Sequence, residues 1–80
     1  IFDMSIKVRF FASLRESLGT SEKILDVDHA VSVAEVWTLC TMQTEMPVNV
    51  LAAINQEYVN NSSLVKPGDE LAFFPPVTGG

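Results

Sequence analysis

Thiols and imidazoles are almost absent from this chain, which carries one cysteine, Cys40, and one histidine, His29. A single thiol closes no internal disulfide, and so few soft ligands build no metal site. Cations are scarce as well: five Lys and Arg stand against ten Asp and Glu, for a formal net charge of -5. That sign is wrong for gripping a phosphate backbone, so no nucleic-acid partner is expected. Long apolar runs are also missing. The longest spans only a few residues, far below the roughly 18 of a membrane span, and no basic segment leads into an apolar one. The expectation is a cytoplasmic chain without a membrane partner. Its 80 residues leave room for one core, held by packing alone at about 3–5 kcal/mol, and too little chain for most self-sufficient enzymes.

The two ends differ from the middle. Ile1, Phe2 and Asp3 precede Met4 and read as a vector-derived remnant, with the domain expected over residues 4–75. At the other end, two of four prolines and two of four glycines crowd into Pro75-Pro76-Val77-Thr78-Gly79-Gly80. The segment has no charged side chain. Paired prolines favour an extended exit from the preceding strand, and Gly79 and Gly80 carry no Cβ. Residues 76–80 are therefore expected to form a thin, flexible thread ending in a carboxylate.

Between the ends, hydrophobic periodicity assigns the elements. Ser5 to Phe11 alternates, with Ile6, Val8 and Phe10 on one face and Lys7, Arg9 and Phe11 on the other, as in a half-buried strand. Ala12–Leu18 has helix formers and stops at Gly19. Ile24 to Val27 reads as a second strand, antiparallel to the first across so short a connection. Ser32 followed by Glu35 is a capping box, with Val31 and Val36 as a hydrophobic staple, and the helix is expected to run to about Gln43 before Pro47. Its buried stripe would be Val33, Val36 and Cys40, with Trp37 and Leu39 at the margins. Val50 to Ile54 and Tyr58-Val59 make a hairpin about Asn55-Gln56-Glu57. Lys66-Pro67-Gly68-Asp69 suits a type II turn that launches Glu70 to Phe74. This order describes an α+β domain: a mixed sheet of about five strands with one main helix on one face.

The alternation leaves two aromatic residues on the wrong side. Phe11 shares a face with Lys7 and Arg9, and Phe74 shares one with Glu70. If the first and last strands are neighbours, both rings sit away from the helix, and Tyr58 joins them in an apolar patch of the kind that marks binding surfaces. Other chemistry-bearing residues read as structural. Cys40 lies on the buried stripe as a core thiol, His29 beside Asp28 is a solvated loop residue, and the acidic run Asp26 to Asp28 is a solvated strand end. Trp37 and the connection from Met46 to Asn49 carry no functional assignment.

Three stretches together resemble the small subunit of molybdopterin synthase, the MoaD-type sulfur carriers. They are Lys7-Val8-Arg9-Phe10-Phe11-Ala12, Leu51-Ala52-Ala53-Ile54-Asn55 and Gly68-Asp69-Glu70-Leu71-Ala72-Phe73-Phe74-Pro75-Pro76-Val77-Thr78-Gly79-Gly80. The resemblance covers essentially everything from Met4 onward. It implies the ubiquitin-like β-grasp fold, which agrees with the element order. It also implies that an ATP-using activating enzyme adenylates the carboxylate of Gly80, with Gly79 beside it, and that sulfur then replaces AMP to leave a thiocarboxylate. That sulfur would pass to cyclic pyranopterin monophosphate in a large subunit, two transfers building the dithiolene of molybdopterin. By the same resemblance Phe11, Tyr58 and Phe74, with Pro75, Pro76, Val77 and Thr78 of the tail, face the large subunit in a heterotetramer of two small and two large subunits. No cofactor or metal would bind here, and the chain would be a non-catalytic, sulfur-donating subunit.

Other functions use the same tail chemistry. Carriers for thiamine biosynthesis or tRNA thiolation, and ubiquitin-like modifiers joined to lysines, all activate a terminal glycine. A plain β-grasp binding module with a frayed Gly-Gly end is a further alternative. The FFPPVTGG ending and the aromatic face favour the molybdopterin carrier.

Overall fold

A computed structural model describes residues 5–42 and 49–75. The expectations about Ile1–Asp3, Met4, Gln43, Met46, Pro47 and the tail residues Pro76, Val77, Thr78, Gly79 and Gly80 lie outside the described residues. In chain order the elements are β1 (Ser5–Phe10), α1 (Ala12–Leu18), β2 (Glu22–Asp26), β3 (Val31–Ser32), α2 (Val33–Thr41), β4 (Leu51–Ile54), β5 (Glu57–Val59), β6 (Leu64–Val65) and β7 (Glu70–Phe74).

Five strands form one mixed sheet in the order β2-β1-β7-β4-β5. The first and last strands among the described residues, β1 and β7, lie side by side and parallel, with Arg9 opposite Ala72 and Phe10 opposite Phe73. All other pairs in this sheet are antiparallel. Alternation sends Ile6, Val8 and Phe10 of β1 and Leu71 and Phe73 of β7 to the inner face, where α2 covers them. Among the described residues no helix is long and apolar enough to cross a membrane.

Local chemistry sets the element ends. The Glu35 N–H donates to Ser32 Oγ at 3.1 Å, the expected N-cap. The two N–H groups before it are also satisfied, Val33 donating to the Ser63 carbonyl and Ala34 to that of Asn61. At the other end α2 stops at Thr41, because Met42 takes a left-handed φ of 64° and donates its N–H to the Thr38 carbonyl. This is two residues before the expected end: a methionine fills the C′ position that glycine usually marks. Lys23 of β2 supplies the cation that the last turn of α2 lacks, its Nζ donating to the Cys40 carbonyl at 2.8 Å.

The structure corrects three further expectations. Trp37 is at the centre of the core, not its margin: only 2% exposed, it meets Phe10 and Phe73 edge-on with centroids 6.5 and 5.0 Å away. Its Nε1–H has no acceptor among the described residues. Leu39 is exposed rather than marginal, because its position on the helix points off the sheet. Strand β2 begins at Glu22 and ends at Asp26, earlier than the apolar run suggests, since the polar residues Glu22 and Lys23 already pair with Arg9 and Val8. Strands β3 and β6 form a small second sheet, with Val31 opposite Val65.

Candidate functional site

The outer face of the sheet follows from register. One row crosses four strands: Tyr58 of β5 opposite Ala53 of β4, Ala53 opposite Ala72 of β7, and Ala72 opposite Arg9 of β1. One step along, Leu51 stands opposite Phe74, and Phe11 follows the last residue of β1. On the other side of the row Glu70 stands opposite Lys7. Large side chains therefore surround two alanines.

The aromatic residues meet as their shared face requires. Phe11 and Phe74 stack with centroids 4.8 Å apart and planes 8° from parallel. Tyr58 tilts against Phe74 at 6.0 Å, and at 72% exposed it projects furthest. The backbone holds Phe11 from both sides: its N–H donates to the Phe73 carbonyl at 3.2 Å, and its own carbonyl accepts from Leu14 N–H at 3.1 Å. Immediately after it Ala12 adopts a φ of 53°, a left-handed conformation that costs an L-residue about 1–2 kcal/mol. The strained turn from strand to helix thus sets where the Phe11 ring sits. Ala53 is 5% exposed although it faces outward and stands outside the inner core, since the surrounding side chains shelter it.

Charge is placed around this apolar centre. Arg9 approaches Glu70 at 3.7 Å and lies over the Phe11 ring at 5.7 Å. Both ionic groups are substantially exposed, so the pair orients more than it stabilises. Below it, Asn55 clips the β4–β5 turn to β7: its Oδ1 accepts from Glu70 N–H at 3.0 Å and its Nδ2 donates to Asp69 at 3.1 Å. The expected turn at Lys66–Asp69 is present, with Gly68 at φ 93° and Asp69 N–H donating to the Lys66 carbonyl.

The structure brings Phe11, Tyr58 and Phe74 together and places Pro75 directly after β7, half-buried. Pattern reading did not single out Arg9, Ala53, Ala72 and Glu70, yet they complete the face. Their signal was the same alternation, with two alanines where strands usually carry larger residues. Cys40 is buried in the core, and desolvation raises its thiol above the ordinary value against the opposing charge of Lys23. His29 is exposed, with Nδ1 2.6 Å from Asp28, whose carboxyl is lowered first by that hydrogen bond. Neither group lies at the aromatic face.

A mixed sheet in this order, gripping one main helix and carrying an aromatic outer face at the root of its C-terminal segment, is a ubiquitin-like β-grasp domain. Residues 8–80 match the ThiS family, and the chain belongs to that family. It is 38% identical to the molybdopterin synthase sulfur carrier subunit of Escherichia coli, an alignment covering 94% of this chain and 99% of that protein. The subunit of the same name from Haemophilus influenzae is 39% identical over the same shares. Among solved structures, small archaeal modifier protein 1 from Methanosarcina acetivorans superposes with a TM-score of 0.74 at 26% identity, covering 95% of this chain and 96% of that one.

Proposed function

We propose that this chain is the sulfur carrier subunit of a molybdopterin synthase, with Gly80 as the sulfur-bearing residue and the aromatic face as the surface that docks the large subunit. One observation carries the reading. Strand β7, which ends in Phe74 of the aromatic face, leads directly into Pro75 and residues 76–80, so docking the face delivers the tail. A fixed anchor a few residues from the reacting carbonyl reduces the search that a free tail would make.

The chemistry needs little from this chain's side chains. A carboxylate is a poor acyl donor, so an activating enzyme supplies ATP: a Gly80 oxygen attacks the α-phosphorus, pyrophosphate leaves, and an acyl adenylate forms. Hydrosulfide then adds to the carbonyl carbon and AMP departs as the leaving group, giving the thiocarboxylate with no change of oxidation state. In the large subunit its sulfur attacks an oxygen-bearing side-chain carbon of cyclic pyranopterin monophosphate, and the carbon–oxygen bond there breaks as the oxygen group leaves. Hydrolysis of the resulting acyl–sulfur link regenerates the Gly80 carboxylate and leaves the sulfur on the pterin. Two rounds supply the dithiolene. The absence of a Cβ at Gly79 and Gly80 lets the thread enter narrow active sites, and Pro75 and Pro76 lower its ordering cost, about 1–2 kcal/mol for each free residue. General acids and bases belong to the two enzymes. The assembly is read as two small with two large subunits, in the cytoplasm.

The test is ATP–pyrophosphate exchange by the cognate activating enzyme. Exchange that depends on this chain and is lost on deletion of Gly80 is the expected result; exchange that survives the deletion contradicts the reading. The likeness to an archaeal modifier protein favours a second reading, conjugation of the same activated glycine to lysines. Lysine-linked products formed with ATP and the activating enzyme, in place of sulfur transfer, would select it.

A further inference from the structure

The outer face contains a depression of about 250 Å³ whose floor is Ala53 and Ala72 and whose rim is formed by Tyr58, Phe74, Phe11, Arg9, Glu70 and Gln56. Register explains it. The two alanines are directly opposite each other in adjacent strands, with Tyr58 one strand beyond on one side and Arg9 one strand beyond on the other. Side chains that end at Cβ thus lie between side chains that rise well above the sheet, across about 14 Å of strand spacing.

We infer that this notch is the anchor pocket of the interface and seats one aliphatic side chain, of the Leu, Ile or Met class, from the large subunit. The inference rests on the reading that the aromatic face docks that subunit. At about 250 Å³ the notch is smaller than the roughly 300–1,000 Å³ pockets that bury a drug-sized ligand, and it suits a single side chain. Charge excludes an ionic anchor. Among the described residues the one cation and one anion on the rim, Arg9 and Glu70, already pair with each other at 3.7 Å, so a charged intruder would be desolvated without a free counter-ion. Gln56 is the uncharged polar member of the lining and is itself exposed to water. The methyl groups beneath and ring faces beside the notch make van der Waals contact the main attraction, which an aliphatic side chain supplies from its whole surface. Arg9 has a separate task. Extended between Glu70 and the Phe11 ring, it closes the β1 side of the notch, across the two alanines from Tyr58.

The test is calorimetric titration of the purified cognate large subunit with the full chain and its variants, each checked by thermal unfolding. Ala72→Leu fills the notch from its floor and is expected to weaken binding about tenfold or more. Ala72→Val, which suits a strand and fills less, is expected to weaken it by a smaller factor, and it carries the test if the leucine variant does not fold. Wild-type binding by folded Ala72→Leu or Ala72→Val, with Phe74→Ala impaired, would overturn the anchor pocket and leave the docking face standing. Unimpaired binding by Phe74→Ala would instead remove the docking face itself. A dimer of this chain, detected by sedimentation and abolished by Ala72→Leu, would make a second copy the occupant and also overturn the proposal.

Discussion

The rings of Phe11 and Phe74 lie face to face, 4.8 Å between centroids and 8° from parallel, and they come from opposite ends of the chain. Parallel pairing of β1 with β7 puts them there: Phe10 and Phe73 are register partners facing the core, so the next residue of each points outward. The inner pair also stacks, at 5.8 Å. The same two strands therefore make a core contact with one residue and a surface contact with the next, and the surface contact stands where the tail begins.

Truncating Phe74 separates binding from folding. Burial of one such ring against a partner is worth about 1.5–3 kcal/mol, so Phe74→Ala is expected to raise the Kd for the large subunit about 10- to 150-fold. Folding loses chiefly the stacking, about 0.5–1.5 kcal/mol. Titration calorimetry against the large subunit and urea unfolding of the variant measure the two; a Kd within about threefold of the parent's contradicts the expectation.

Trp37 predicts the opposite pattern. It joins Phe10 and Phe73 into one aromatic core, so Trp37→Ala is expected to cost about 3–5 kcal/mol, as much as a domain of this size holds. Near-ultraviolet circular dichroism should show a chain largely without fixed packing. A cooperative melt close to that of the parent would mean that the core is organised elsewhere.

The β4–β5 turn is open to improvement. Asn55 and Gln56 take φ values of 49° and 74°, the left-handed pair of a type I′ turn, whose preferred sequence is Asn-Gly. Gln56→Gly is expected to stabilise the fold by about 0.5–1 kcal/mol. Asn55→Ala removes two side-chain hydrogen bonds to the β7 end and is expected to cost about 1–2 kcal/mol. Urea midpoints at constant slope report both, and equal midpoints for parent and variants contradict the turn assignment.

Cys40 links stability to alkaline pH. Burial raises its folded-state thiol above the ordinary 9.0, so above that value the unfolded chain gives up its proton first. The stability this provides is complete below the unfolded value and is lost as pH rises toward the folded one. Alkylation by iodoacetamide at neutral pH is expected only with denaturant present. Rapid labelling of the native chain would contradict the burial.

Most of the architecture was legible because it depends on short-range pattern. Alternation assigned the two faces of β1 and β7, Ser32 and Glu35 marked the start of α2, and Gly19 marked the end of α1. Less legible features depend on what local pattern does not carry. Met42 ends α2 through a backbone conformation that methionine does not advertise. Strands β3 and β6 are two residues each, too short for a period to register. Trp37 is central because positions 33, 36, 37 and 40 form the helical stripe that faces the sheet, where the indole packs edge-on against the stacked Phe10 and Phe73; assigning it to the margin drew that stripe too narrowly. At the site, Phe11, Tyr58 and Phe74 were readable as outward aromatics. Their convergence about Ala53 and Ala72 required the strand order, which is set by long-range pairing.

The central claim is that Gly80 carries sulfur. The direct measurement is the intact mass of the chain produced with its activating enzyme and a sulfur source, compared with the chain produced without them. The account predicts a mass gain equal to sulfur replacing oxygen, localised to the C-terminal peptide and lost on incubation with the large subunit and the pterin precursor. An unchanged mass with ATP and an activating enzyme shown to adenylate the chain would contradict it.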